Sequence, residues 1–376
     1  MTEHDYIIVG GGLQGGLIAL TLRQIQPHAR VMLIERGPRP AGNHTWSFHA
    51  ADLPAESEPI VRPLIVGKWS GYWVKFPDYS CNVASAYASI SSEFFADALE
   101  TCGCELLTNT IATIIAPNRV QLADGSELAA RCVIDARGPE AAEVPSGTGY
   151  QKFVGLEIET ERPWPETLPT VMDATVPQTD GYRFVYTLPF TPHRILIEDT
   201  YFADGNALDY AVLRQRVEDV IVAANIGTWR ILREESGVLP MPWAGAGISG
   251  NANGLLVTGY AGGWFHPATG YSFPLAVRLA LAIANCSPDR AHMAVKSLAR
   301  KIAPRQQFAR LLNRLLFTVV VPSERWQVFR RLYRSLPDSL LNRFYALEFG
   351  AIDAARLLVG WPPPLALSRL IHRPEP

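Results

Sequence analysis

Two carboxyl groups, Glu198 and Asp199, follow the apolar run Arg194-Ile195-Leu196-Ile197 near the middle of the 376-residue chain. Side chains alternate across a strand, so the two acids face opposite ways and only Glu198 shares the face of Leu196. A pair of acids closing a strand is ordinarily a pair of solvated turn residues. In an apolar tunnel, desolvation would instead raise the pKa, and the acid would keep a proton to donate at neutral pH. The chemistry such a carboxyl could offer is general-acid catalysis. A second stretch, AGGWFHPATGYS at 261–272, joins an apolar strand (254–258) to a helix expected from about Phe273 to Ala284. Gly259, Ala261, Gly262, Thr269 and Gly270 leave backbone bare enough to touch a ligand, and the helix N-terminus points positive charge at it. Trp46, Trp264 and Phe265 serve either as core or as the wall around a cation, which aromatic faces attract. His266, beside a proline, reads more readily as a hydrogen-bonding brace than as a base.

These groups need a scaffold, and the N-terminus supplies its signature. Tyr6–Val9 reads as a buried strand, and Gly10, Gly12 and Gly15 complete G-x-G-x-x-G. A helix is expected from Leu17 to Gln24 and a second strand over Val31–Ile34, with Glu35 at its end. Gly10 permits the turn, Gly12 admits a pyrophosphate to the backbone, and Gly15 lets helix and strand pack. Glu35 can accept the ribose hydroxyl protons. Strand, helix, second strand and terminal acid at these spacings indicate dinucleotide binding, without separating FAD from NAD. Further on, Asp124-Gly125 marks a β-hairpin, and the strand RCVID ends in Asp135, followed by Gly138. A hairpin module beside a nucleotide fold, then Asp-x-x-Gly, favours a flavoprotein.

The motifs Gly10–Gly15 with Glu35, HTWSFH (44–49), LIEDT (196–200), GVLPM (237–241) and AGGWFHPATGYS (261–272) extend over about three quarters of the chain. On them the sequence resembles flavoproteins of the p-hydroxybenzoate-hydroxylase-like superfamily and, within it, bacterial lycopene β-cyclases. Hydroxylases of that superfamily usually carry Gly-Asp where this chain has Gly259-Tyr260, and the Asp holds the ribityl chain. Tyr260 departs from that pattern and weakens the case for a hydroxylase. The resemblance implies FAD in its reduced form, with NADPH as electron source. Its substrates are lycopene and γ-carotene, and its acid lies on this strand, which makes Glu198 the expected acid and Asp199 its neighbour or modulator. Two rival readings are an FAD monooxygenase or reductase acting on an isoprenoid, and a non-enzymatic flavin or isoprenoid carrier.

The expected architecture is α/β, with a Rossmann-type FAD domain from 1–63, 91–150 and 246–290. An antiparallel-sheet substrate domain follows from 64–90 and 151–245, and a basic helical region spans 291–376. From Arg290 to Arg343 there are twelve Lys or Arg against only Glu324 and Asp338, although the whole chain has a formal charge of −2. The basic residues alternate with Phe308, Leu311, Trp326 and Phe329 in helices expected to break at Pro304, Pro322 and Pro337. That pattern suits either a helical cap on the sheet or peripheral attachment to an anionic membrane, on the cytoplasmic face of the cell membrane. The five cysteines lack metal spacing and read as reduced thiols, with no metal expected. Glu3 and Asp5 before the first apolar run argue against a signal peptide. No apolar stretch is long enough to span a bilayer, and no nucleic-acid partner is expected.

Overall fold

The computed structural model describes residues 4–138, 144–245, 247–248 and 254–359; the end of the basic region, 360–376, lies outside them. The chain begins with β1 (His4–Val9), α1 (Leu13–Ile25), β2 (Val31–Ile34), β3 (Thr45–His49), α2 (Glu58–Val61), β4 (Ile65–Trp69), β5 (Tyr72–Phe76), β6 (Tyr79–Val83) and β7 (Tyr87–Ser91). Next come α3 (Ser92–Thr101), β8 (Glu105–Leu107), β9 (Ala112–Ala116), β10 (Arg119–Leu122), β11 (Glu127–Asp135), β12 (Thr148–Thr160), β13 (Thr170–Asp173), β14 (Tyr182–Thr191) and β15 (Arg194–Ala203). It closes with α4 (Tyr210–Ala223), β16 (Trp229–Pro242), β17 (Leu256–Val257), α5 (Phe273–Ala284), α6 (Ala291–Thr318), α7 (Trp326–Ser335), α8 (Asp338–Tyr345) and α9 (Ala351–Leu358).

The first sheet has the order β8-β2-β1-β11-β10-β9, with β17 alongside β11. β8, β2, β1, β11 and β17 are parallel, while β10 and β9 turn back antiparallel. β1 lies at its heart, and Tyr6, Ile7 and Ile8 have no solvent exposure. Tyr6 and Ile8 pack with α1, α3 and α5 on one face, and Ile7 and Val9 with the β9–β11 strands on the other. Burial on both faces explains why β1 is an unbroken apolar run, as parallel strands usually are. α1 begins four residues earlier than its apolar pattern suggests, because Gly15 and Gly16 belong to it. A Cβ on Gly15 would lie 2.0 Å from the Gly10 carbonyl oxygen, and one on Gly16 2.6 Å from the Phe95 ring. Close packing demands glycine there despite its helix penalty of about 1 kcal/mol.

The second sheet, β16-β12-β15-β14-β13-β5-β6, is antiparallel apart from the β13–β5 pair. A three-stranded sheet, β3-β7-β4, alternates in sequence with β5 and β6 of the second sheet, so the stretch 64–90 divides between the two. One face of the second sheet is covered by α4, through Leu213, Val217 and Ile221. On the other, Tyr182, Phe184 and Phe202 pack with Leu316, Phe329 and Tyr333 of the C-terminal helices.

Three local expectations change. β15 does not stop at the acids but runs on to Ala203, since each carboxyl finds its own environment within the sheet. α6 continues through Pro304, whose ring is exposed, while Arg305 reaches back to the Lys301 carbonyl at 3.2 Å and across to that of Phe349 at 3.0 Å. Packing of α6 on α5 and β16 outweighs the roughly 3 kcal/mol cost of an internal proline. Arg325 does not belong to a basic surface: it is buried, donates to the carbonyls of Phe202 and Leu316, and stacks 4.7 Å over Phe317. Among the described residues, no helix is long and apolar enough to cross a membrane.

Candidate active site

β1 and β17 each lead into a helix, and the two helices lie side by side. Gln14 Nε2 donates to the Ala276 carbonyl (3.2 Å) near their starts, and Gln26 Nε2 to that of Ala284 (2.7 Å) near their ends. Both N-termini therefore meet at the carboxyl end of the parallel strands, where open α/β sheets bind ligands. No side chain caps either helix, and neither has an acid in its first turn. An anion near each end gains about 0.3–1 kcal/mol from the helix dipole. Gly10 takes φ +108°, and a Cβ on it would lie 2.6 Å from the Ala136 carbonyl oxygen. Around Gly12 the corresponding space is open. Glu35 accepts from the backbone N–H groups of Gly11 (2.7 Å) and Gly37 (2.8 Å), which fixes its carboxylate at the end of β2. Exposed backbone at two uncapped helices and an anchored acid fit the pyrophosphate and ribose of a dinucleotide. Asp135 accepts from Arg137 Nε at 2.9 Å and Nη2 at 2.7 Å at the end of β11.

The loop 259–272 is braced from outside. Gly259 and Gly270 have φ of +61° and +69°, and a Cβ on Gly262 would lie 2.3 Å from the Val257 carbonyl oxygen. Ala261 and Thr269 are half-buried. Tyr260 stacks on Phe265 at 4.3 Å and donates its hydroxyl to the Gly270 carbonyl at 2.5 Å, so it closes the loop on itself. Gln306 donates to the carbonyls of Gly263 and Phe265 (both 2.9 Å), and Asn313 to that of Pro267 (2.6 Å). His266 is fully buried: Nε2 donates to the Phe344 carbonyl (3.0 Å) and Nδ1 accepts from Ala268 N–H (3.2 Å). Burial pushes its pKa down to about 3, so the ring is neutral and both nitrogens are engaged. Trp264 is also fully buried, in the core around α1 and α5, while Trp46 is half-buried with its ring edge-on to Phe95. These four residues are therefore not gathered on one surface.

Glu198 lies in the interior of the second sheet, on the face away from α4. Tyr186 of β14 is directly opposite it on one side and Gly155 of β12 on the other; Glu235 of β16 lies beyond Gly155. Protein surrounds Glu198, yet it keeps accessible surface, as do Tyr186, Tyr271 and Tyr345. The Tyr186 hydroxyl donates to Ser47 Oγ (2.7 Å) and lies 3.1 Å from that of Tyr87. The Tyr87 ring lies 5.1 Å from His49, which in turn lies 5.0 Å from Tyr345. Burial raises the Glu198 pKa well above the usual carboxylate range; the charge of Glu235 and a hydrogen bond with it raise it further, and Arg233 opposes them. A neutral carboxylic acid at one end of a phenol-rich wall can protonate an alkene and leave a cation against aromatic faces.

Asp199 faces the other way. Its Oδ1 accepts from Arg183 Nε at 2.8 Å, and both side chains are buried. Burial raises its pKa and Arg183 lowers it, leaving it above the ordinary value. Sequence reasoning passed over Glu235, Gly155, Tyr186, Tyr87 and the brace Gln306–Asn313. It also passed over a buried cluster in which Asp52 Oδ2 accepts from the Tyr271 hydroxyl (3.0 Å) and lies 3.1 Å from His49 Nδ1. Gln306 and Asn313 did leave a signal: polar residues seven apart on the stripe of Ala299, Ile302, Ala309 and Leu316.

A cavity of about 310 Å³ opens between α6, α7, α8 and α9, lined by Leu312, Leu316, Phe329, Leu332 and Phe344 and touching Thr269 and Tyr345. A larger hollow of about 650 Å³, among His4, Arg23, Arg30 and Glu105, lies at the amino end of the parallel strands, away from every group above.

The parallel sheet with helices on one face and a β-hairpin module on the other, joined to an antiparallel sheet, defines a flavoprotein-type fold. Two solved structures share it. One is a geranylgeranyl bacteriochlorophyll reductase-like protein of Thermoplasma acidophilum, with TM-score 0.65 and 12% identity over 95% of this chain and 96% of that one. The other is a probable FAD-dependent monooxygenase of Pseudomonas aeruginosa, with TM-score 0.60 and 18% identity over 89% and 100%. The chain belongs to the lycopene cyclase protein family, whose model matches residues 5–371. It is 44% identical to the lycopene beta-cyclase of Pseudescherichia vulneris over 96% of this chain and 94% of that protein. It is 40% identical to the lycopene beta-cyclase of Pantoea ananas over 98% and 97%.

Proposed function

We propose that this chain is a lycopene β-cyclase, converting the linear ψ ends of lycopene, through γ-carotene, into the β rings of β-carotene. The observation that carries the mechanism is Glu198: in a member of this family, a half-buried carboxyl with a raised pKa directly across the sheet from Tyr186, whose hydroxyl is 3.1 Å from that of Tyr87. Glu198 donates a proton to the terminal double bond and creates a tertiary cation. The neighbouring double bond closes the ring, and a second carbon releases a proton. The product is an isomer of the substrate, so no electrons are consumed. Tyr186 is directly across the sheet from the acid, with Tyr87 beside it, and their π faces stabilise the transient charge.

The two helix N-termini, Gly10, Gly12, Gly15 and Glu35 would hold FAD, and the loop at Gly259, Ala261, Gly262, Thr269 and Gly270 would carry its ring end. Reduced FAD, when bound, would supply a fixed negative charge to the site, with NADPH as the source of its electrons. Asp199 supports the sheet behind Glu198 and is not the donor. Trp264 and His266 support the loop from the core.

The apolar cavity among the C-terminal helices gives the rest of the polyene a path from a membrane. Leu311, Leu315, Leu358 and Val359 are exposed near Arg314, Arg331 and Arg356, a mixture that suits peripheral attachment to an anionic surface, here the cytoplasmic face of the cell membrane. The test is anaerobic incubation of the FAD-loaded protein with lycopene and dithionite, without pyridine nucleotide. β-Carotene is the expected product; no ring formation with dithionite, with NADPH consumed stoichiometrically with each ring when it replaces dithionite, would refute the reading.

A further inference from the structure

We propose that Glu198 and Glu235 act as one acid–carboxylate dyad, assembled over the missing side chain of Gly155, with Glu235 as the residue that positions the catalytic proton on Glu198. The inference rests on the cyclase reading and adds a second residue to its chemistry. Glu198 and Glu235 are two strands apart, on β15 and β16, and β12 runs between them. Gly155 is the register partner of both. A Cβ at position 155 would lie 2.7 Å from Glu198 Cγ and 3.2 Å from Glu235 Cγ, so any other residue would hold the two carboxyls apart. With glycine there, the two side chains close over the bare backbone of Gly155, near enough for the Glu235 charge to raise the pKa of Glu198.

Two carboxylates this close cannot both stay ionised in a low-dielectric site, so one proton is retained between them. The surrounding charges decide which one holds it. Arg233 Nη1 donates to Glu235 Oε2 at 2.5 Å, its Nε to Glu157 Oε2 at 3.0 Å, and its Nη2 to Thr45 Oγ1 at 2.5 Å. Arg194 donates to the other oxygen of Glu157 at 2.5 Å. Two guanidinium groups therefore face three carboxyls, and one retained proton makes the cluster neutral. The remaining groups nearby add no charge: burial lowers the pKa of His44 and raises those of Tyr186 and Tyr87. Because Arg233 is anchored on Glu235, the proton resides on Glu198, the member of the pair that keeps accessible surface. In each turnover one proton passes from Glu198 to the alkene carbon, and one returns to the pair from the ring carbon. The dyad ends as it began.

The experiment compares wild type, Glu235→Gln, Glu235→Asp and Gly155→Ala as FAD-loaded proteins, measuring kcat against pH and the infrared band of protonated carboxyl groups. In the wild type, activity is present below the raised pKa of Glu198 and falls as pH rises through it. Glu235→Gln removes the negative neighbour, so this alkaline limb moves to lower pH and kcat falls about 10–100-fold with FAD content unchanged. Glu235→Asp recovers part of the activity. Gly155→Ala separates the carboxyls and moves the limb the same way. The infrared band is present in wild type at neutral pH, lost in Glu198→Gln and displaced in Glu235→Gln. An alkaline limb and an infrared band that stay in place in Glu235→Gln would overturn the dyad. If the wild type fails to cyclise lycopene, the functional reading falls, and the infrared comparison still decides the dyad.

Discussion

The two faces of β15 carry adjacent acids and put them to opposite uses. Behind the sheet, under α4, Asp199 meets a guanidinium at 2.8 Å in a place with almost no solvent exposure. In front, Glu198 meets another carboxyl, and the nearest cation is anchored on that partner and not on Glu198 itself. The backbone and the strand are the same for both; the partner alone differs. A buried acid opposite a cation becomes part of the framework, whereas a buried acid opposite an acid becomes a proton store.

The sharpest way to break this contrast is to remove each carboxyl in turn. Glu198→Gln is expected to lower cyclisation by roughly 10²–10⁴-fold, the usual scale for loss of a general acid, with FAD still bound. Activity retained in that variant would end the distinction. The reverse arm concerns stability: Arg183→Ala leaves Asp199 buried without its cation and should cost about 3–5 kcal/mol in denaturant unfolding, while the folded fraction keeps its turnover. The smallest effect belongs to Asp199→Asn, which should change kcat by no more than about threefold, because that side chain is on the opposite face of the sheet from Glu198. A large kcat effect there, without loss of stability, would show that the two faces are not separate.

Local patterns made much of the framework legible. The glycine spacing, the apolar strands beside it and Glu35 describe a βαβ unit within one stretch of chain. The bare loop before Phe273 announces a helix N-terminus, and strand alternation assigns Glu198 to the face of Leu196. These signals are periodic or contiguous, and they correspond to what the structure holds. The dyad was not legible in the same way. Glu235 is 37 positions from Glu198, and the glycine that lets them meet is on a third strand. Nothing local to Gly155 distinguishes it from a turn glycine. Arg325 looked like one more surface cation because burial by a neighbouring strand and helix leaves no periodic trace. Pro304 looked like a helix break because tertiary packing, which overrides propensity, cannot be seen in a single segment.

If Glu198 transfers a proton to the polyene, the hydrogen must come from exchangeable protein and solvent protons. Cyclisation of lycopene by the reduced, FAD-loaded protein in deuterium oxide, followed by mass analysis of the product, tests this directly. Each ring is predicted to carry one solvent-derived deuterium, with little or no ring formation in Glu198→Gln. Rings formed without deuterium, or formed at wild-type rate in Glu198→Gln, would contradict it.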